Sequence, residues 1–402
     1  MGLLRAREGG RAHMHGHNHE HSHGYGHTSR RDFLQRALGG AMAGASVLEM
    51  GFFRAAVARA QAATATQRLF DIEKVADGVY FALAHPAALT NCNAAIFVNS
   101  QDVLVVDAHS KPSAAASLIA QIKKEVTTKP VRYLVNTHFH WDHSQGDPAY
   151  KATGSKVEII ASEATKELLA QNARKRLKDS LDGVPQIVDG LQARLAKAPT
   201  ADKAFWQEQI RQAKAYQAEM RDYMPELPDI TFKDSHVIKD SAHDLHIEFH
   251  GRAHTAGDVQ VFVPQKRVVA SGDAIIGWLP NVADGYPREW PATINSVSKL
   301  AVDHILPGHG PVQSGRERMT QFRNYIEELT AAIEKSKKAG QPLTELKKAI
   351  TPASLKTWQA GGFGEYVANN LNKLTVYAGA RTPVEDRFAA NVETIYSNLD
   401  RV

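Results

Sequence analysis

The 402-residue sequence predicts an α/β fold that carries a helical insertion and a helical C-terminal extension. Three observations support this class. Short apolar runs of strand length flank a helical segment from residue 70 onward, residues 162–226 are rich in Ala, Lys, Arg, Gln and Leu, and residues 316–402 have the pattern of helices broken at Gly-rich points. Apolar residues make up 43% of the chain, which allows a packed core and excludes wholesale disorder.

Residues 1–62 have the features of an export signal. The sequence Ser-Arg-Arg-Asp-Phe-Leu at 29–34 precedes an uncharged run at 37–48, and the small-residue pattern Ala-Arg-Ala follows at 58–60. This order resembles a bacterial twin-arginine signal peptide. The uncharged run is shorter than the stretch of about 20 apolar residues that crosses a bilayer. We therefore expect export by the twin-arginine machinery, a periplasmic mature protein and no stable membrane anchor.

The same leader holds much of the unusual composition. Seven histidines lie between residues 13 and 27, and the leader has eight Arg, no Lys and four acidic residues. The formal charge of +5 for the whole chain therefore falls to +1 beyond residue 62. That balance leaves no basic track for phosphate groups, so we expect no nucleic-acid partner. Cleavage of the signal would remove the histidine tract with it.

The first part of the predicted core consists of strands around one helix. Residues 103–106 form a continuous apolar run that ends at Asp107, a pattern typical of a strand buried on both faces. A helix is predicted at 112–126, and the next buried strand follows it. The predicted strands of this part are 70–74, 79–83, 94–98, 103–106 and 131–135.

Residues 162–226 predict the helical insertion. Ser162 and Thr200 are suited to helix N-caps, and the sequence Met-Pro-Glu-Leu-Pro at 224–228 ends the segment. Two interpretations are open: a solvated hairpin packed on the edge of the core, or a lid over a site. Beyond the insertion we predict strands at 230–232, 236–239, 245–249, 259–263 and 267–270, and a helix at 291–302.

A cluster of potential metal ligands follows the buried strand at 131–135. The sequence there is Asn-Thr-His-Phe-His-Trp-Asp-His, which contains His138, His140, Asp142 and His143. In an extended or looped backbone His138 and His140 point the same way, whereas Asp142 and His143 turn to the other side. One short loop can therefore serve two metal ions. Because Cys92 is the only cysteine, these ions must be held by histidine and carboxylate groups.

The pattern His-x-His-x-Asp-His after a hydrophobic strand resembles that of the metallo-beta-lactamase superfamily. The three later residues of that pattern occur in order: His254 in Arg-Ala-His-Thr, Asp273 in Ser-Gly-Asp-Ala and His309 in Pro-Gly-His-Gly. The resemblance implies a four-layer αββα sandwich over residues 63–315, with 162–226 inserted and 316–402 appended. It also implies that His138, His140 and His254 hold one zinc, that Asp142, His143 and His309 hold the second, and that Asp273 bridges both.

Two ions about 3.5–4 Å apart can share a hydroxide and polarise the bond that it attacks. We expect Asp142 to be the catalytic residue, which orients the hydroxide and passes a proton to the leaving group. Zinc suits imidazole and carboxylate ligands, and manganese or iron are alternatives as the carboxylate share rises. The predicted function is a zinc-dependent hydrolase in which a metal-bound hydroxide attacks the carbonyl of a small ester, thioester, lactone or β-lactam.

Two alternatives stay open: a phosphodiesterase of the same fold, and a zinc-binding module without turnover. Among the neighbouring residues, Asp107 is either a partner of a ligand histidine or an ordinary strand-end residue. His85 is a candidate for the substrate pocket, and His250 is rejected as a ligand because its segment is not helical. A further group of residues is expected either to wall the pocket or to belong to the core: Trp278, Asn281, Tyr286 and Trp290.

Overall fold

The computed structural model describes residues 68–85, 92–371 and 384–399. The predicted leader at 1–62 lies outside the described residues. Seven strands form the first sheet in sequence order. They are β1 (Phe70–Ala76), β2 (Val79–Ala84), β3 (Ala94–Val98), β4 (Val103–Val106), β5 (Val131–Val135), β6 (Glu158–Ser162) and β7 (Ile230–Phe232). The pairs from β1 to β4 are antiparallel, and those from β4 to β7 are parallel.

Six strands form the second sheet in the order β13-β12-β11-β10-β9-β8. They are β8 (Ser235–Ile238), β9 (Leu245–Phe249), β10 (Val259–Val263), β11 (Val268–Gly272), β12 (His304–Pro307) and β13 (Gln313–Ser314). Only the β11–β12 pair of this sheet is parallel. Both sheets therefore contain neighbouring parallel strands whose carboxyl ends leave at a common edge.

The two sheets pack face to face. Buried side chains from both of them, including Phe81, Leu104, Ile247, Val261 and Leu306, form one apolar cluster between the sheets. Strands such as β4 and β10 are buried on both faces because helices cover the outer sides. Each fully buried Val, Leu, Ile or Phe side chain stabilises the fold by about 1.5–3 kcal/mol.

Helices cover the outer face of the first sheet. Helix α1 (Pro112–Gln121) continues as a π-helical turn to Val126, and two short helices follow β5: α2 (Trp141–Ser144) and α3 (Asp147–Lys151). Ala114, Leu118 and Tyr150 from this layer pack against the sheet. With the second helical layer described below, the arrangement is the αββα sandwich that the sequence predicted.

The insertion is a pair of long helices, α4 (Glu163–Lys197) and α5 (Thr200–Met220). Helix α4 begins as predicted, because the Oγ of Ser162 accepts a hydrogen bond from the backbone N of Thr165 at 3.1 Å. At Thr200 the sequence prediction differs by one residue, since Pro199 occupies the cap position of α5. Tyr216, Met220 and Tyr223 pack with Leu177 against Trp141, so one end of the hairpin lies on the loop that follows β5.

The C-terminal helices cover the outer face of the second sheet. They are α6 (Trp290–Val297), α7 (Glu317–Lys338), α8 (Leu343–Ala349), α9 (Lys356–Gln359), α10 (Phe363–Leu371) and α11 (Val384–Asn398). Helix α6 ends five residues before the predicted 302. Phe322 and Phe388 from these helices share one apolar cluster with Val269 and Ile305 of the sheet. None of the described helices has the length and apolar character needed to cross a membrane.

Candidate metal centre

The seven residues predicted as ligands meet at one edge of the sandwich. His138 to His143 lie in the loop and short helix after β5, His254 lies in the loop between β9 and β10, Asp273 follows β11, and His309 follows β12. The parallel pairs β4–β5 and β11–β12 send their carboxyl ends to this edge, which brings loops distant in sequence together.

Three imidazole nitrogens form the first ligand group. The Nδ1 of His140 lies 3.1 Å from the Nε2 of His138 and 2.9 Å from the Nε2 of His254. Burial, reinforced by the neighbouring imidazoles, lowers the pKa of His254 to about 3 and the pKa of His138 well below its ordinary value. His138 and His254 are therefore neutral at pH 7, and each has a lone pair at one ring nitrogen.

Asp142, His143 and His309 form the second group. The Oδ2 of Asp142 lies 3.2 Å from the Nε2 of His309 and 3.7 Å from the Nε2 of His143. Burial acts against protonation, but the surrounding carboxylates raise the pKa of His143 to about 9 and that of His309 to about 10. A cation bound here would take the place of those protons.

Asp273 lies between the two groups. Its Oδ1 is 3.4 Å from the Nε2 of His143, and its Oδ2 is 3.4 Å from the Nε2 of His254 and 3.3 Å from the Nε2 of His309. Burial favours the protonated form, but the charges of His309 and His143 hold the pKa of Asp273 well below its ordinary value. An ionised carboxylate with one oxygen toward each group is suited to bridge two cations.

The donor set fits metal ions. Each ligand group has one donor atom per residue, and the donor atoms of a group lie within 4.8 Å of one another. Zinc bonds of about 2.0–2.1 Å in tetrahedral geometry would place two ligand nitrogens roughly 3.3 Å apart, close to the spacing of the first group. Among the described residues, two buried candidate ligand atoms have no hydrogen-bond partner: the Nε2 of His143 and the Oδ1 of Asp273. A Cβ at Gly308 would lie 2.3 Å from that Oδ1, so only glycine allows this close packing.

Asp107 supports the centre from the core. Its Oδ2 accepts a hydrogen bond from the Nδ1 of His143 at 2.8 Å, and its Oδ1 accepts from the backbone N of Thr137 at 2.9 Å. The Thr137 hydroxyl donates to the same carboxylate and lies 3.0 Å from the Nδ1 of His138. One buried carboxylate thus orients a histidine of each ligand group. Asp107 has a φ of +68°, a conformation that is costly for most residues but tolerated by Asp.

Asp284 supports the centre from the other side. Its Oδ2 accepts a hydrogen bond from the Nε2 of His140 at 2.8 Å, which leaves the Nδ1 of His140 facing the first ligand group. Arg176 of the insertion helix α4 binds both oxygens of Asp284, at 2.7 and 2.8 Å. The Arg176 guanidinium also lies over the ring of Phe139, 4.8 Å from its centroid. The insertion therefore reaches a ligand histidine through one carboxylate.

An open cleft of about 290 Å³ lies above the ligands. Its polar floor includes His140, Asp142, His254, Asp273 and His309. Its walls combine apolar, polar and charged side chains, namely Trp141, Ile276, Trp278, Leu279, Asn281, Ala283, Asp284, Arg176 and Arg387. The volume and the lining suit a small molecule with an apolar portion.

The sequence profile of the metallo-beta-lactamase superfamily matches residues 87–309, more than half of the chain. The chain belongs to this superfamily. Its two-sheet fold is the one that the resemblance implied.

Individual relatives of this superfamily member are distant. A linear primary-alkylsulfatase from a Pseudomonas species is 23% identical over 274 residues, which cover 63% of this chain and 47% of that protein. The chain thus spans about half the length of that relative. A metallo-beta-lactamase type 2 from Bacillus cereus is 37% identical over 68 residues, 15% of this chain and 27% of that protein.

Solved structures are similarly distant from this superfamily member. A metallo-beta-lactamase from Pontibacter korlensis has a TM-score of 0.46 and 19% identity, covering 64% of this chain and 99% of that one. A metallo-beta-lactamase from Hirschia baltica has a TM-score of 0.45 and 18% identity, covering 64% and 97%.

The other predicted site residues divide into two sets. Trp278 and Asn281 line the cleft, whereas Trp290 is buried in the core beneath His254, with ring centroids 5.6 Å apart. Tyr286 does not line the cleft. The guanidinium of Arg252 lies over its ring, with the Cζ of Arg252 4.3 Å from the ring centroid.

His85 and His250, the two further histidines considered from the sequence, lie outside both ligand groups. His85 pairs with Asp71 at 3.0 Å, and the Nε2 of His250 lies 3.1 Å from Glu248. Sequence reasoning missed Asp284, Arg176 and Arg387, because no local motif marks them.

Proposed function

We propose that the protein is a dinuclear zinc hydrolase that cleaves an ester-type bond of a small molecule. The observation that supports this most directly is the convergence of two ligand groups on the shared carboxylate of Asp273. One ion would be held by His138, His140 and His254, the other by Asp142, His143 and His309. Bound there, the ions would supply a nucleophile from water at neutral pH and polarise the attacked bond. Manganese and iron are alternatives for the same donor set.

Asp142 is the proposed catalytic residue. Its carboxylate lines the cleft, so that it can contact both a substrate and the attacking water. Burial alone would raise the pKa of Asp142, but His143 and His309 lower it below the ordinary value. The carboxylate is therefore ionised at neutral pH. We infer that an Asp142 oxygen accepts a proton from the attacking water and passes it to the leaving group.

The cleft supports a small-molecule substrate. Trp278 lies beside His309, with ring centroids 5.1 Å apart, and Leu279 and Trp141 add apolar surface around the polar floor. These walls would hold the apolar part of a substrate and limit the access of bulk water. The carbonyl substrates favoured are esters, thioesters, lactones and β-lactams.

A second candidate function is the hydrolysis of sulfate esters. The alignment with the alkylsulfatase extends over 274 residues, whereas that with the Bacillus cereus metallo-beta-lactamase extends over 68. A sulfate monoester would be converted by water into an alcohol and sulfate. The same cleft and the same Asp142 proton acceptor would serve this reaction.

The test is a substrate panel on the zinc-loaded protein, covering carbonyl esters, thioesters, lactones, β-lactams, alkyl sulfates and phosphodiesters. We expect turnover of at least one ester-type substrate, and a loss of roughly 10²–10⁴-fold in kcat for Asp142→Asn. Asp179→Asn, in an exposed ion pair with Lys175, is the matched control and should retain wild-type activity. Two bound ions without turnover on any substrate would contradict the proposal and favour a metal-binding module. Hydrolysis of phosphodiesters alone would favour the phosphodiesterase.

We further propose that the protein is exported to the periplasm by the twin-arginine machinery. The support is the sequence around Arg30 and Arg31. Fractionation of cells should place the wild type in the periplasm and an Arg30→Lys, Arg31→Lys double variant in the cytoplasm. An identical distribution of the two would contradict this route.

A further inference from the structure

We infer that Arg387 is the anion-binding group of the cleft, and that the substrate carries an anionic oxygen group beside an apolar portion. This inference rests on the proposed hydrolase function and names its substrate class. The shared chemistry is an oxyanion, which is either a carboxylate remote from the scissile bond or the sulfate of a sulfate ester.

Arg387 reaches the cleft from helix α11 in the C-terminal extension. It lines the same cavity as the metal-ligand candidates His140, Asp142 and His309. The helix is anchored on two sides. The Asn391 amide donates to the Tyr325 hydroxyl at 3.0 Å, and the Asn398 amide donates to the backbone O of Ala283 at 2.9 Å. The guanidinium is therefore presented from a fixed backbone.

The charge of Arg387 is not neutralised within the described residues. Its Nε is shielded from solvent and has no hydrogen-bond partner there, and the titratable neighbour that acts on its charge is Tyr325. Burial lowers the pKa of the Arg387 guanidinium. A partly buried charge without a partner is costly, and an anionic ligand in the cleft would offset that cost by supplying the counter-charge.

The other arginine of the cleft provides the contrast. Arg176 donates to both oxygens of Asp284 at 2.7 and 2.8 Å, so its positive charge already has a counter-charge within the protein. Arg387 has no such carboxylate among the described residues. Of these two cations, Arg387 is the one whose charge is left for a substrate anion to pair.

The chemistry of the guanidinium and of the walls defines the substrate class. A guanidinium offers paired N–H donors that match the two oxygens of a carboxylate or a sulfate. Ile276, Trp278 and Leu279 line the same cleft and suit an apolar portion next to that anion. A neutral ester would fill the apolar wall but leave the Arg387 charge unpaired.

The experiment compares matched substrates on the zinc-loaded protein: 4-nitrophenyl butyrate, the hemisuccinate ester of 4-nitrophenol, and decyl sulfate. The variants are Arg387→Met, Arg387→Lys, and the control Arg323→Met, whose guanidinium bonds Asn295 and Asn324 outside the cleft. For Arg387→Met we expect kcat/KM on an anionic substrate to fall roughly tenfold to hundredfold, with the neutral ester changed less than about twofold. Arg387→Lys should keep part of the preference, and the control should keep all of it.

Comparison of the two anionic substrates shows which anionic group Arg387 binds. A loss confined to the hemisuccinate assigns Arg387 to a remote carboxylate, and a loss confined to decyl sulfate assigns it to the scissile sulfate. An equal loss on the neutral and anionic substrates, with unchanged metal content and thermal unfolding, would show a structural role and overturn the inference while leaving the hydrolase function in place.

A binding measurement keeps the inference independent of turnover. Calorimetric titration of succinate and of decanesulfonate into the zinc-loaded protein should show binding of at least one, weakened roughly tenfold or more by Arg387→Met. If no panel substrate is hydrolysed, the proposed function fails, yet this titration still decides the role of Arg387. Binding of both anions with the same affinity in wild type and Arg387→Met, or no binding by the wild type, would overturn the inference.

Discussion

Two carboxylates support the metal centre from opposite sides, and they differ in what holds them. Asp107 and Asp284 each accept a hydrogen bond of 2.8 Å from the nitrogen of a ligand histidine that faces away from the ligand groups. The Asp107 side chain is 3% exposed and follows β4 of the central core. The Asp284 side chain is 14% exposed, lies in a loop, and is bound by Arg176 of the insertion.

One side of the metal centre is therefore supported by the core of the fold, and the other side by the helical insertion. The Asp107 side is fixed once the sandwich has formed, because β4 and β5 are paired and Asp107 binds Thr137, the second residue after β5. The Asp284 side depends on the insertion, which an αββα sandwich does not require. We therefore expect substitutions on the Asp107 side to lower both the free energy of unfolding and the metal affinity. Substitutions on the Asp284 side should lower metal affinity and activity without a comparable loss of stability.

Among substitutions of the residues that support the ligands, the largest effect is expected for Asp107→Ala. It leaves the donors of His143 and Thr137 buried without their acceptor, so the free energy of unfolding should fall by roughly 1–3 kcal/mol. Metal affinity and kcat/KM should fall about 10–100-fold. Denaturant titration of the metal-free protein and metal analysis by mass spectrometry check the two parts. An unchanged unfolding midpoint would contradict the assignment of Asp107 to the core.

Asp284→Ala should affect activity without a comparable loss of stability. His140 loses the acceptor that orients its ring, so we expect metal binding by the first ligand group to weaken about 10–100-fold. The unfolding midpoint of the metal-free protein should stay close to that of the wild type, because Asp284 lies outside the sheets. A stability loss as large as that of Asp107→Ala would remove the distinction between the two sides.

Arg176→Met should have the smallest effect. Asp284 and its bond to His140 remain, but the carboxylate loses the two hydrogen bonds that hold it, so we expect kcat/KM to fall only several-fold. Lys175→Met, which breaks an exposed ion pair one residue away, is the control and should be neutral. In the Asp284→Ala background Arg176→Met should have little further effect. Fully additive losses would show that Arg176 does not act through Asp284.

The residues of the candidate site differ in how far the sequence alone could predict them. The ligand cluster from His138 to His143 is contiguous and follows a buried strand, so its chemistry was visible in the pattern alone. His254, Asp273 and His309 were found through the superfamily resemblance. Asp284 was missed because it is 144 positions from His140 and carries no motif, so only tertiary packing brings the two together.

The secondary structure was likewise predicted where the local sequence marks it, and missed where tertiary contacts define it. Strands rich in apolar residues, such as β4, β5 and β10, were predicted with the bounds that the structure has. Strand β6 (Glu158–Ser162) was not predicted, because its pairing with β5 and β7 defines it more than its composition does. The predicted helix at 291–302 was too long at its end, since α6 stops at Val297.

Stepwise metal titration of the metal-free protein tests most directly whether the hydrolytic centre is dinuclear. Zinc is added in known equivalents while bound metal and hydrolysis of the best panel substrate are followed together. We expect that two equivalents bind per chain and that activity reaches its maximum only at the second. Full activity at one equivalent, with a second ion bound elsewhere or not at all, would contradict it.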